Sequence, residues 1–379
     1  MDFEPSEEQV MLRDVSRSAL KSHATPEHVR AMGGDIFAED GELWRLGAEL
    51  GWPGLVLPEE QGGAGQGLAE LCVVAEELGR AAAPGPFVPS SLVGLALARG
   101  GSAAVCSRIL PALADGSASA AWAFAEPGGG CTPDTLTTTA VEDGDAYVLD
   151  GRKTSVQDAG AAGWLLVTAL LDDRPASFVV EAGTAGVSVR RQQVIDETRA
   201  FHEVRLERVR VPADGLLSGG PAGVRALYDA AITLTAADAL GAADALLDMT
   251  VEYVKVRRQF GRAIGSFQAV KHKCATMLMQ VHAARAAVHY AAMAWDAGDP
   301  GASRAASVAK SFASRGMSQV AGEALQTHGG IGFTWEHDLH LLLRRVKTDE
   351  LLYGGSAEHR ERLCALLLAD RAEAAPARA

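Results

Sequence analysis

Apolar positions along the chain follow three successive rhythms. Ser6 stands three residues before Gln9, the spacing of a capping box, and Val10, Met11, Val15, Ala19 and Leu20 then recur with helical period. "GELWRLGAELGW" and "AELCVVAEELGRAA" continue it, punctuated by Gly51, Gly62, Gly63, Gly65 and Pro84, so residues 1–117 are expected to form an all-α domain. A period of two takes over in "LTTTAVEDGDAYVLDGRKTSV", where Asp143-Gly144 and Asp150-Gly151 have the composition of tight hairpin turns. "WLLVTALL", "ASFVVEA", "GVSVRR" and "FHEVRLERVRVP" extend this into a β domain over residues 118–218. After Pro221 an alanine- and leucine-rich run without proline predicts one helix of about 35 residues, roughly 50 Å long. Two more long helical stretches, from Ser266 and Ala302, and shorter ones through Leu367 make residues 219–379 a helical bundle, with Met277, Met279 and Trp295 in its core. The fold class is α+β and multidomain.

Composition narrows the function. With 48% hydrophobic and 22% charged residues the 379-residue chain is a folded protein, and its net charge of −13 argues against a general nucleic-acid or membrane-surface binder. Local clusters such as Arg257-Arg258 can still hold a small anion. Cys72, Cys106, Cys131, Cys274 and Cys364 are scattered, without a CxxC pair, which suits a reducing cytoplasm and no structural zinc. The acidic start and the lack of a run of about 18 uncharged apolar residues predict neither signal peptide nor membrane span. His337 and His340 lie near Glu336 and Asp338, but neither HExxH nor a third ligand spacing is present, so no metal site is expected.

The segment Gln326–Ser356 opens on one glycine pair, passes Arg344 and Arg345, and ends on another, as a stretch built around an anion would. Gly329-Gly330 alone does no more than end a helix, and Arg257 alone fits a solvated face; in a site, bare amides and a guanidinium approach an anion together. In combination they are specific. Tyr253-xxx-Arg257-x-Gln259-Phe260-Gly261, with Ile264-Gly265 and Phe267-Gln268, and Gln326-xx-Gly329-Gly330-x-Gly332-Phe333 with Glu336, resemble the acyl-CoA dehydrogenase family. "GWPGLVLPEEQGGAG", "AEELGR" and "AEPG" extend the resemblance over nearly the whole chain.

That resemblance implies an α-helical domain, a β-barrel domain and a C-terminal four-helix bundle, in a dimer or tetramer with FAD at the dimer interface. It implies that Arg257 and Gln259 reach the pyrophosphate of a neighbouring subunit's FAD, with Phe260 packed nearby and Gln326, Gly329 and Gly330 on the same cofactor. The implied reaction is α,β-dehydrogenation of an acyl thioester carried on CoA or a carrier protein, with electrons leaving to an electron-transfer flavoprotein.

The same comparison exposes departures. The catalytic glutamate of one subgroup corresponds to Tyr353, or to Gly354 after a one-residue shift, and that of the other to Ala231. The arginine that often follows on the helix is Ile232, although Asp229 remains; a threonine near the flavin is Ala125; a phosphate loop is replaced by "GGGCTPD"; and the flanking tryptophan and threonine are Ser155 and Gln157. The catalytic residue is therefore unassigned. Residues reaching a partner's cofactor are kept and those for the chain's own site are lost, which fits the partner-type subunit of a heteromeric enzyme. A homomeric acyl-CoA or acyl-carrier-protein dehydrogenase with a relocated base, at Asp229, Asp349 or Glu350, and a non-catalytic structural homologue are the alternatives. Asp196-Glu197 and Arg199 read as a solvated loop or as packing against the bundle.

Overall fold

The computed structural model describes residues 4–33, 41–128 and 132–374. Six helices come first: α1 (Glu7–His23), α2 (Pro26–Met32), α3 (Glu42–Glu49), α4 (Leu68–Arg80), α5 (Phe87–Gly100) and α6 (Ala103–Ala114). The capping box at Ser6 forms as its spacing predicts. Its hydroxyl accepts from the Gln9 amide at 3.1 Å, while the Gln9 side chain accepts from the Ser6 amide.

The strands β1 (Ala120–Ala123), β2 (Thr139–Asp143), β3 (Ala146–Gln157), β4 (Trp164–Leu171), β5 (Arg174–Glu181), β6 (Val187–Arg191) and β7 (Phe201–Pro212) form one curled seven-stranded sheet. Along β4, β5 pairs antiparallel on one edge, while β1 and then β2 pair parallel on the other; β2, β3, β7 and β6 continue the sheet antiparallel. Asp143-Gly144 makes the expected tight turn, with Asp143 opposite Ala146 and Gly144 at φ +65°. Asp150-Gly151 does not. It sits inside β3 at a register shift, where a Cβ on Gly151 would lie 2.4 Å from the Thr138 hydroxyl and Asp150 accepts from the Arg208 amide. The glycine is there for close approach to Thr138, forming a bulge that bends the strand.

α7 (Gly220–Val256) runs 37 residues from a left-handed cap at Gly219, with Pro221 in its first turn. A short hairpin, β8 (Arg258–Gln259) and β9 (Arg262–Ala263), leads to α8 (Gln268–Asp296), α9 (Ala302–His328), α10 (Leu339–Leu351) and α11 (Ser356–Ala374). α7 is apolar on nearly every side because it is packed by α4, α8, α9 and α10. By length and composition it is the one described helix that could cross a membrane, yet 89% of its most apolar window is buried inside the protein. Met277 and Trp295 belong to the bundle core, but Met279 is 61% exposed. Two positions along a helix is about 200°, so Met279 points away from the face of Met277.

α4 and α7 cross at a glycine contact. A Cβ on Gly241 would lie 1.7 Å from the Glu76 carbonyl, and one on Gly79 would lie 2.0 Å from that of Asp238. Gly241→Ala should force the helices apart and cost roughly 3 kcal/mol. Gly322→Ala on α9, where an added Cβ meets nothing within 4 Å, should be neutral or stabilising. Urea unfolding of both variants checks this; equal midpoints would refute the close contact.

Candidate functional site

The motif residues gather on one outward face at the end of the bundle. α7 ends because Arg257 turns extended (φ −67°, ψ 127°), and its carbonyl accepts from the Ile264 amide at 2.8 Å, closing the hairpin. Phe260 and Gly261 both lie at positive φ at the hairpin tip, and the Phe260 ring is 91% exposed. A phenylalanine held in a left-handed conformation, 91% exposed and meeting Phe267 only edge-on at 6.1 Å, carries strain that this one ring contact does little to offset. Arg257 and Gln259 are exposed, and the Arg257 guanidinium has no hydrogen bond or ion pair among the described residues; the Gln259 amide donates to the Arg258 carbonyl. On α9, Gln326 is exposed, and Gly329 (φ +63°) ends the helix. A Cβ on Gly329 or Gly330 would meet nothing within 4 Å, so both leave bare backbone facing open space. The Gly329 amide itself donates to the Leu325 carbonyl, so what the glycines offer is room for close approach, which together with a free guanidinium fits a diphosphate.

The second glycine pair belongs to another place. Between the sheet and α10 lies a cavity of about 590 Å³, with Trp122, Phe124 and Tyr353 on one wall and Leu343, Leu351 and Ile195 among the others. Trp122 stacks on Phe124 (4.5 Å) and on Tyr353 (5.5 Å). Tyr353 adopts φ +57°, held there because its carbonyl accepts from the Tyr228 hydroxyl at 2.7 Å and from His359 Nε2 at 2.9 Å. Burial pushes its phenol up to about 12, against a hydrogen bond from Gln157 and the Arg199 charge, so it stays protonated. Of the positions expected to carry a base, Tyr353 faces this cavity, whereas Ala231 is buried in the bundle core. At Gly354 a Cβ would point toward His359 Nε2, 3.3 Å away, rather than into the cavity.

Most carboxylate oxygens near the cavity are committed elsewhere. Glu126 lines it, but its oxygens accept from Lys153 Nζ at 2.7 Å, the Thr137 amide and hydroxyl, and the Thr138 amide. Burial alone would raise its pKa; Lys153 and these donors more than offset that and hold it at about 2. Lys153 itself is fully buried, and desolvation pulls it down to about 8 despite Glu126. Asp196 also lines the cavity; its Oδ1 accepts from the Thr198 amide and hydroxyl, while its Oδ2 is buried without a hydrogen-bond partner among the described residues, which leaves it the one cavity carboxylate with an oxygen uncommitted there. The candidates Asp229, Asp349 and Glu350 do not line it. Asp229 is paired with Arg362, Asp349 with Arg199, and Glu350 with Ser318 and Lys347.

Ala125 and Ser155 line the cavity, and the Gln157 side chain is engaged by Arg199 and Tyr353. Of "GGGCTPD", residues 129–131 lie outside the described residues. Of the two arginines between the glycine pairs, Arg344 lines the cavity and Arg345 does not. Arg344 pairs with Glu197 and covers the Trp335 ring, and Arg345 is buried on Asp238. Arg199 and Asp196 pack against the bundle and are buried. No group of three potential metal ligands occurs among the described residues. Trp122 and Phe124, which the motifs do not include, carried a signal: they alternate along "AWAFAEPG", which in extended backbone puts both on one face as β1 ends at Ala123.

Three family models cover almost the entire chain: acyl-CoA dehydrogenase N-terminal domain over residues 6–117, middle domain over 121–209 and C-terminal domain over 226–368. The chain belongs to the acyl-CoA dehydrogenase family. Acyl-CoA dehydrogenases are oxidoreductases acting on CH–CH donors, and FAD is their cofactor. Acyl-CoA dehydrogenase IpdE2 of Mycobacterium tuberculosis is 36% identical over 343 residues, spanning 90% of this chain and 92% of that protein. A solved variant of the Tcur3481-Tcur3483 steroid ACAD superposes with a TM-score of 0.89 at 36% identity, covering 97% of this chain and 99% of that one. The ChsE4-ChsE5 complex from Mycobacterium tuberculosis gives 0.90 at 29% identity, covering 97% and 99%.

Proposed function

We propose that this acyl-CoA dehydrogenase chain is the cofactor-completing subunit of a heteromeric enzyme that introduces a 2,3-double bond into an acyl thioester. The observation that carries the reading is the contrast between two surfaces. Where a catalytic carboxylate would face the cavity stands the protonated, stacked Tyr353, while Arg257, Gln259, Phe260, Gln326, Gly329 and Gly330 face outward toward a group the chain does not itself supply. Arg257 would neutralise the diphosphate of FAD, the backbone at Gly329 and Gly330 would approach it closely, and Phe260 would pack at its edge. FAD, when bound, supplies the hydride acceptor; the α-proton would pass to a carboxylate of the partner subunit. Electrons would then leave to an electron-transfer flavoprotein. Similarity to a protein called a steroid ACAD and to the two-component ChsE4-ChsE5 complex makes bulky alicyclic acyl thioesters the first substrates to test.

The test is the FAD-to-protein ratio of the chain purified alone and after mixing with a second acyl-CoA dehydrogenase chain. The expected result is a colourless protein alone, gaining FAD and acyl-CoA-dependent bleaching only in the mixture. Stoichiometric FAD in the isolated chain, bleached by an acyl-CoA, would refute the proposal and favour a homomeric enzyme.

A further inference from the structure

We propose that His328 is a positioning residue that ties the Arg257 hairpin to the Gly329-Gly330 cradle, so that both meet one dinucleotide. The inference rests on the role proposed above for the outward face. The two motifs are far apart in sequence and come from different helices. They meet where the His328 ring lies on the Tyr253 ring, centroids 4.4 Å apart and 21° from parallel, and the Tyr253 hydroxyl donates to the His328 carbonyl at 3.3 Å. Tyr253 is one helical turn before Arg257, whose amide donates to the Tyr253 carbonyl at 2.9 Å; His328 immediately precedes Gly329. A shift of either motif would therefore disturb this stack.

The rest of the His328 environment holds the ring still. Its Nδ1 donates to the Ala324 carbonyl at 2.8 Å, which leaves Nε2 as an acceptor. The edge of His337 closes on it at 4.9 Å. Gly332 is a glycine partly because a Cβ there would lie 3.1 Å from the His328 Cβ. The hairpin is fixed at its other end, since a Cβ on Gly265 would lie 2.9 Å from the Val254 carbonyl. His328 is only 3% exposed, and Nε2 is buried without a partner among the described residues. Burial lowers its pKa, so the ring stacks as the neutral form. His328 makes no ion pair among the described residues, so its role here is geometric.

FAD affinity is the measurement, by flavin fluorescence titration of the assembly in which the wild type holds FAD. His328→Ala should weaken binding about tenfold, and His328→Phe, which keeps a flat ring on Tyr253, should return it to within about threefold of wild type. The melting temperature of the apo chain is read alongside. If His328→Ala lowers it, Tyr253→Phe, which removes only the hydroxyl bond to the His328 carbonyl, carries the test and should weaken FAD by about threefold. Unchanged affinity in His328→Ala, or His328→Phe as weak as His328→Ala, would overturn the proposal. A wild-type chain that holds FAD as a homomer would instead refute the heteromeric reading and leave this comparison intact.

Discussion

Arg257→Ala is expected to weaken FAD retention by about 100-fold or more in the assembly that holds the cofactor, because charge-assisted bonds to a phosphate contribute about 1.5–3 kcal/mol each and a guanidinium makes two. Arg257 has no side-chain partner of its own among the described residues, so its loss leaves no buried charge unpaired within the chain. Arg257→Lys should fall between, near tenfold, since it keeps the charge and loses the fork. Arg262→Ala is the control. Its guanidinium lies over the Phe267 ring at 4.1 Å, and removing it should change affinity by less than about threefold. Because Arg257 is exposed, the melting temperature of the apo chain should not move, which separates a binding loss from unfolding. Equal FAD retention by Arg257→Ala and wild type would remove the outward face from any cofactor role.

Much of the fold was legible because it is written in local periodicity. The 37-residue α7, the capping box at Ser6 and the change of rhythm near Ala120 each follow from side-chain spacing within a few turns or strands. Local composition fails where a residue serves a distant contact. Asp150-Gly151 has the makeup of a turn, but its glycine answers to Thr138 across the sheet. Met279 sits beside Met277 in sequence yet on the opposite side of α8. The candidate site divides in the same way. The glycine pairs and Arg257 stand out as motifs, whereas Arg345 and Asp238 lie 107 residues apart and nothing near either one names the other. The meaning of an arginine between two glycine pairs depends on which carboxylate the fold brings to it.

Arg345→Ala should be among the most destabilising substitutions in the chain, at about 3–5 kcal/mol, because it leaves the buried Asp238 carboxylate without its bidentate partner and with only Arg199, which it shares with Asp349. Arg345 donates through Nε and Nη2 to the two oxygens of Asp238, both at 2.7 Å, and through Nη1 to the Thr198 carbonyl and hydroxyl. Burial would raise the Asp238 pKa; Arg345 and then Arg199 reverse this and hold it at about 2. Arg199 continues the network to Asp349 and Gln157, and burial together with Asp238 pushes Asp349 well above the usual carboxylate range. The network thus joins α7, α10 and the loop entering β7, and it fixes the separation of α10 from the sheet that bounds the cavity.

Two comparisons distinguish a clamp from a simple charge effect. Arg345→Met with Asp238→Leu removes both charges and should recover most of the loss, since an apolar pair of similar volume avoids the desolvation cost. Acid should mimic the single variant: the folded-state pKa of Asp238 is depressed from 3.8, so its contribution is present above about pH 4 and lost as pH falls through about 2. In Arg345→Ala that part of the acid transition should disappear. Urea unfolding at neutral and low pH reads all three, and hydrogen exchange in α10 should rise in the single variant first, because the network is the buried tie between this cavity wall and the sheet's entering loop, beside the more exposed Arg344–Glu197 pair. A loss below about 1 kcal/mol would mean that packing of Leu339, Leu342 and Val346 holds α10 without the ion pair.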